Sequence, residues 1–313
     1  MISTVGLLRF YQKSGLQKVT RSLGILKFFP EPLATMERVL PEAPKRKEMK
    51  NRPTFLQASG EKKKRVAFFS GCLMDTMFLK VNDMTMKLLQ QAGCEIVIPD
   101  IQGCCGALHG HSGERERAKE MAKKNIVAFE EEQIDYIITN AGGCGAFLEE
   151  YDYLLKDDPE WADRAANFTA KIKDITAILV DLDFHKQSLA LDEQIVTYQD
   201  SCHLKNGQKT YVEPRTLLQS IQGIEYREME NASSCCGSAG IYNIIQPEMS
   251  MKILDDKMEK VKATEAHTIV TTNPGCLLQM KLGIEREGLS GQVRAVHIVE
   301  LLLEALEQEK VLQ

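Results

Sequence analysis

The stretch QGCCGALHGH, Gln102 to His111, sets two cysteines side by side between glycines, and SSCCGSAG, Ser233 to Gly240, does so again. Successive residues of a strand point to opposite faces, so an adjacent pair cannot enter one core from regular structure. It belongs in a turn that presents both sulfurs. Around these pairs stand Cys72 and Cys144 in one half of the chain and Cys202 and Cys276 in the other. Cys72 to Cys202, Cys104 to Cys235 and Cys144 to Cys276 are 130, 131 and 132 residues apart. A near-constant offset marks an internal duplication. One set is therefore Cys72, Cys104, Cys105 and Cys144, and its copy is Cys202, Cys235, Cys236 and Cys276. Cys94 has no counterpart; within AGCEIVI it reads as a small buried hydrophobe at the entry to a strand.

Four thiols can hold several things. A disulfide within an adjacent pair is a strained ring, and it would leave Cys72 and Cys144 unexplained. Four cysteines also make structural zinc sites, but zinc ligand pairs usually stand two to four residues apart, and adjacent ligands cramp a single ion. A cluster of several irons lets neighbouring sulfurs serve different metal atoms, and four thiolates are the donor set of a [4Fe–4S] cluster. One such cluster per half is the expectation, with zinc and a vicinal disulfide as the alternatives. Glycines beside the cysteines, Gly103, Gly106, Gly143 and Gly237 among them, free the turns and let backbone N–H groups approach sulfur.

The remaining chemistry is sparse. His203, next to Cys202, is the most suggestive histidine, as a donor behind a ligand or as a cap of its loop. His109 and His111 follow the first pair, but the second half has Gly240 and Tyr242 nearby, so a shared ligand role is not expected. Most carboxylates lie in helical runs such as LDDKMEK, where a solvated face is the default. No phosphate-cradling glycine loop and no nucleophile–base constellation stands out.

The totals narrow the class. A net charge of -5 and a pI near 5.8 argue against nucleic-acid binding, which calls for a strongly basic face. No run approaches the ~20 apolar residues that span a bilayer, and the N-terminus lacks a secretory pattern. The expectation is a cytoplasmic protein. In a reducing compartment, nine cysteines are ligands or redox groups rather than structural bridges.

The elements that must position the sulfurs can be read as well. KRVAFFS and QIVTYQD precede Cys72 and Cys202; CEIVIPD and GIEYREM precede the two pairs; DYIITN and HTIVTTN precede Cys144 and Cys276. All six read as strands. Between them, TMKLLQQAG, ERAKEMAKKNIVAFEEE, RTLLQSIQG and PEMSMKILDDKMEKVKA carry helical patterns. The alternation predicts an α/β fold with two tandem repeats, each a small parallel or mixed sheet flanked by helices. Ligands of such sheets collect beyond the carboxyl ends of the strands, which is where the cysteines lie. The boundaries read as a helical N-terminal segment and linker over 1–64, a first repeat over 65–155, a helical connector over 156–192 and a second repeat over 193–313. The N-terminal segment mixes Arg9, Lys13, Lys18, Arg21 and Lys27 with Leu7, Leu8, Leu16, Leu23 and Leu26. Basic amphipathic helices of this kind dock on a partner subunit, on the inner membrane face or on the chain's own domains.

The strings GC…GCCG…GGCGA and DSCHL…CCGSAGIYNIIQPEM…NPGCLLQ resemble the duplicated cysteine-rich CCG domain. That family includes heterodisulfide reductase B subunits, the iron–sulfur subunit of anaerobic glycerol-3-phosphate dehydrogenase and lactate-utilization proteins. The wording is most similar to the glycolate oxidase iron–sulfur subunits. The resemblance covers roughly residues 65–305. It implies iron–sulfur clusters on the eight paired-set cysteines and a non-catalytic, electron-transferring role beside FAD-binding glycolate oxidase subunits, with electrons passing to quinone or another acceptor. Heterodisulfide-reductase-like thiol chemistry and a lactate-utilization role are the alternatives within the family.

Two departures from the family pattern matter. In its fullest form each repeat ends in Cys-x-x-Cys, but here Ala141 and Asn273 stand at the first of those positions. The ferredoxin module, with its Cys-x-x-Cys-x-x-Cys-x-x-x-Cys runs, is not found in the sequence; residues 1–45 are similar to the segment that follows it. The resemblance therefore implies a truncated version or a separately encoded module, the latter acting as a ferredoxin-type partner.

Overall fold

The computed structural model describes residues 2–29, 31–130 and 133–312. Nine strands run along the chain: β1 Phe55–Leu56, β2 Lys64–Phe68, β3 Cys94–Val97, β4 Tyr136–Thr139, β5 Ile172–Asp174, β6 Ala190–Tyr198, β7 Gln222–Tyr226, β8 Thr268–Thr271 and β9 Arg294–His297. They form two sheets, ordered β1-β3-β2-β4-β5 and β7-β6-β8-β9. Every pairing is parallel except the short β1 edge on β3. Leaving β1 aside, the two orders are the same. In each repeat the first strand is flanked by the second on one side and the third on the other, so the chain reverses direction across the sheet there. Crevices at such reversals open at the carboxyl ends of the strands.

Helices fill the connections as their patterns require. Leu79–Gln91, Arg115–Glu130, Glu213–Gln219 and Pro247–Ala263 match the four helical stretches, and Pro247 sits in the first turn, where its missing N–H costs nothing. The last two residues of the second stretch, Glu131 and Glu132, lie outside the described residues.

Two segments differ from the expectation. The connector over 156–192 is helical at Ala162–Thr169 and Ile175–Asp181, yet between them it supplies β5, which extends the first sheet beside β4. The segment over 1–64 likewise ends by adding β1 to the other edge of that sheet. Both strands are only two or three residues long, too short for an alternation of apolar and polar residues to stand out in a sequence.

One apolar core runs through both repeats. It joins Val66, Phe68 and Ile96 of the first sheet to Val196, Tyr198 and Ile269 of the second, with Leu301 and Leu302 of the last helix. A second cluster, around Phe129, Tyr151 and Phe168, covers the far face of the first sheet. The N-terminal segment folds back on its own chain: Val5, Ala43 and Met49 pack on Leu79. Three of its cations are engaged there too, Arg9 and Lys13 on Glu42 and Arg21 on Glu37. Leu7, Phe10, Leu23 and Phe28 remain exposed. No helix among the described residues is long and apolar enough to cross a membrane.

Candidate metal centres

Each cysteine set is assembled from three strand ends. Cys72 follows β2, Cys104 and Cys105 follow β3, and Cys144 sits in the helix Gly142–Glu149 after β4. Cys202 opens the short helix after β6, Cys235 and Cys236 lie in the loop after β7, and Cys276 sits in the helix Pro274–Arg286 after β8. The structure brings each quartet together. In the first, Cys72 neighbours Cys104, Cys104 neighbours Cys105, and Cys105 neighbours Cys144. In the second, Cys202 neighbours Cys235, Cys235 neighbours Cys236, and Cys236 neighbours Cys276. The order of neighbours is the same in both repeats.

These contacts polarise the thiols. Donation from Cys105 and Cys72 pulls Cys104 well below the usual thiol value, and donation from Cys202 and Cys236 does the same to Cys235. Cys72 and Cys202 are pushed up, first by those same bonds and then by burial. Backbone amides add to the thiolate character: Gly106 N–H donates to Cys104 Sγ at 3.5 Å and Gly237 N–H to Cys235 Sγ at 3.4 Å. Each repeat thus has a thiolate-like sulfur in its adjacent pair, and in the second the contact with Cys236 lowers Cys276 as well.

All nine cysteines are free thiols, so no vicinal disulfide forms. Four sulfurs side by side, with N–H donors aimed at Cys104 and Cys235, are compatible with the donor set of a multi-iron cluster, whose ligands are shared among metal atoms. Cys94 stands apart. It opens β3 fully buried in the core, and desolvation pushes its thiol up to about 12.

The loops are held by polar side chains of the scaffold. Gln102 accepts from Ser70 N–H at 2.8 Å and donates to the Phe68 carbonyl at 3.2 Å, tying the loop of Cys72 to that of Cys104. Gln199 does the equivalent work in the second repeat, donating to the Asp200 and Ser234 carbonyls at 2.8 and 3.1 Å. Tyr151 Oη and Asn125 Nδ2 donate to the carbonyls of Cys105 and Cys104 at 2.6 and 2.9 Å. Ser250 Oγ donates to the Gly237 carbonyl at 2.8 Å, and Gln279 donates to Ser250 Oγ at 3.2 Å. Sequence reasoning did not single out these residues, because an isolated Gln, Asn or Ser in a helix or loop carries no spacing signal.

The histidines divide as their surroundings dictate. His203 Nδ1 lies 3.7 Å from Cys202 Sγ, and its ring stands 5.4 Å from that of His111. Burial holds His203 below its ordinary value. His109 instead turns to Glu114 at 2.8 Å. The second quartet lines a small pocket with Asp200, His203 and Asn273, whereas Cys72 and Cys104 open onto a broader cleft bordered by Arg52 and Gln102. Asp200 is clamped by Arg215 at 2.9 and 3.0 Å.

The two repeats meet at helices that each carry one of the cysteines, Cys144 and Cys202. Helix Gly142–Glu149 packs against helix Cys202–Asn206, and a Cβ on Gly142 would come within 2.5 Å of Ser201 Oγ. The glycines around Cys144 therefore serve a close approach between repeats, beyond the turn freedom expected of them. Gly237 has a stricter role. Its φ of +94° is left-handed, and a Cβ there would lie 2.5 Å from the Ser250 carbonyl. Gly237→Ala is expected to cost about 1–2 kcal/mol from the backbone alone, more from the clash, and to lower the iron bound by the second quartet. At Gly106 the nearest atom is the movable ring edge of Phe147 at 3.3 Å, so Gly106→Ala should be the milder change. Denaturant unfolding and iron analysis of the two variants check the order.

The cysteine-rich domain family CCG matches residues 66–149 and 196–281, and the linker region of glycolate oxidase iron–sulfur subunits matches residues 1–40. A Bacillus subtilis (strain 168) protein named "Probable glycolate oxidase iron-sulfur subunit" is 67% identical over 97% of this chain and 69% of its own length. Lactate utilization protein A 2 of Bacillus mycoides (strain KBAB4) is 35% identical over 76% of this chain and 98% of its own. The crystal structure of a hypothetical protein from Helicobacter pylori shares the fold with a TM-score of 0.57 at 9% identity, covering 96% of this chain and 67% of that one. Two CCG repeats, the matching linker and two-thirds identity across nearly the whole chain place this protein in the family of glycolate oxidase iron–sulfur subunits.

Proposed function

We propose that this chain is the electron-transferring subunit of an FAD-dependent 2-hydroxy-acid dehydrogenase acting on glycolate, with one [4Fe–4S] cluster on Cys72, Cys104, Cys105 and Cys144 and another on Cys202, Cys235, Cys236 and Cys276. The observation that carries the reading is the pair of four-sulfur chains, built alike at equivalent strand ends of the two repeats. Clusters on these thiolates would supply one-electron steps, at potentials set by hydrogen bonds to sulfur and by solvent exposure.

The chain's own residues do the holding. Gln102, Asn125 and Tyr151 fix the first loop set, and Gln199, Ser250 and Gln279 fix the second. The carboxylate beside the second quartet, Asp200, is committed to Arg215 and is not free to act as a base. Removal of a hydride from a hydroxy acid calls for a cofactor suited to that step, and the reading assigns it to a flavin-bearing partner. Ala141 and Asn273, where the fullest family motif has cysteine, weigh against a disulfide-reducing centre.

The test is dye-linked oxidation of glycolate, with lactate in parallel, by purified components. The expected result is no turnover by this chain alone, dye reduction by the flavin subunit, and delivery to quinone only when both are present. Robust turnover by this chain alone would overturn the assignment; preference for lactate would move the substrate and leave the relay in place.

A further inference from the structure

We propose that Asn273 is a redox-tuning bridge between the two quartets: its side chain accepts a hydrogen bond from Gly143 N–H, beside Cys144, and donates one to Cys276 Sγ. The inference rests on the reading that both quartets hold clusters.

The bridge follows from two distances and one absence. Gly143 N–H donates to Asn273 Oδ1 at 3.0 Å, across the boundary between repeats. Asn273 Nδ2 lies 3.6 Å from Cys276 Sγ and donates to it. A backbone N–H can only donate and a thiolate can only accept, so the two partners fix the amide in one orientation. Asn273 occupies the N-cap of helix Pro274–Arg286, a place where the asparagine side-chain oxygen ordinarily accepts from a backbone N–H of its own first turn, yet it makes no such bond. The side chain is spent on the two quartets. At the equivalent position of the first repeat, Ala141 has no polar group, so the arrangement is one-sided.

One-sidedness has a redox consequence. A hydrogen bond donated to a ligating sulfur favours the more negative, reduced state of a cluster and raises its potential. The bond accepted from Gly143 polarises the amide along the same line and strengthens the donation toward Cys276. The second quartet's centre is thereby held above the potential it would otherwise have, which sets a direction for electrons passing between the repeats.

Potentiometric titration of the full, anaerobically reconstituted chain, followed by electron paramagnetic resonance, tests this, with iron counted alongside. The reduction step that Cys236→Ala removes identifies the second centre. Asn273→Ala loses both bonds; Asn273→Asp keeps an acceptor for Gly143 but replaces the donor with an anionic oxygen. The expected order of the second centre's midpoint is wild type, then Asn273→Ala, then Asn273→Asp. The alanine variant should shift the reduction equilibrium about tenfold, which is about 59 mV for one electron, at unchanged iron. Variants at the wild-type midpoint, or variants that simply lose the second centre's iron, would overturn the bridge while leaving the clusters standing. Iron-free wild-type protein would overturn the cluster reading itself.

Discussion

Cys236→Ala is expected to halve the iron of the reconstituted chain, from about eight atoms to about four, while Cys94→Ala leaves the count unchanged. The contrast follows from position. Cys236 is buried in the middle of its sulfur chain, with Cys235 on one side and Cys276 on the other. Removing it leaves three thiols and no substitute, since the ninth cysteine, Cys94, is enclosed in the core of the other repeat. Cys105→Ala should do the same to the first quartet, where Cys105 bridges Cys104 and Cys144. Neither variant should empty the opposite site, because the quartets share no sulfur. Iron and acid-labile sulfide analysis distinguishes this from zinc, which would give about one metal per quartet and no sulfide. A fully folded, active and iron-free preparation would end the cluster reading.

The quartets were legible in the sequence because duplication writes the same spacing twice. A cysteine pair fenced by glycine is ambiguous once, whereas its recurrence at nearly constant offset singles out eight sulfurs and sets Cys94 aside. The six strands leading to those sulfurs were readable for the same reason, as β-branched and aromatic runs ending where the cysteines begin. What the sequence concealed were features with no period. The strand β5 is three residues long and lies within a helical stretch, and β1 is two. The meeting of the repeats is similarly hidden, because a glycine required by a neighbour's Ser201, as at Gly142, reads no differently from one required by a turn. Asn273 was visible as the residue standing where a fifth cysteine would be. Its two hydrogen bonds reach across 130 residues in one direction and three in the other, and no local pattern announces the first.

The same duplication places two titratable groups at matching positions with opposite behaviour, and a variant of either should tilt the acid stability of the protein. Asp174 ends β5 opposite Thr139 of β4, and His297 ends β9 opposite Thr271 of β8. Both are fully buried. Desolvation raises Asp174 from 3.8 to about 6, against the bonds it accepts from Thr176, and its Oδ2 has no partner among the described residues. Desolvation lowers His297 from 6.5 to about 4, against its contact with the Asn140 carbonyl at 2.8 Å. Its Nε2–H donates there while Nδ1 accepts from Val299 N–H at 3.3 Å, so a second proton would meet another donor.

Between about pH 4 and 6.5 the unfolded chain protonates His297 and the native one does not, so this group's contribution to stability falls as pH drops. Between about pH 4 and 6 the native chain keeps a proton on Asp174 that the unfolded one releases, so that contribution rises as pH drops. Each is worth about 3 kcal/mol over its range, and in the wild type they nearly cancel. Asp174→Asn leaves the histidine unopposed, and its stability relative to wild type should fall by about 3 kcal/mol between pH 6.5 and 4. His297→Gln keeps a donor for the Asn140 carbonyl, and its stability relative to wild type should climb by a similar amount over that interval, whatever constant cost the smaller fit imposes at neutral pH. Urea unfolding of the three proteins at several pH values across that window measures the two slopes. Curves that run parallel to wild type would mean that neither group keeps its shifted proton affinity, and opposite tilts would locate the acid balance of the fold in the last strands of its two repeats.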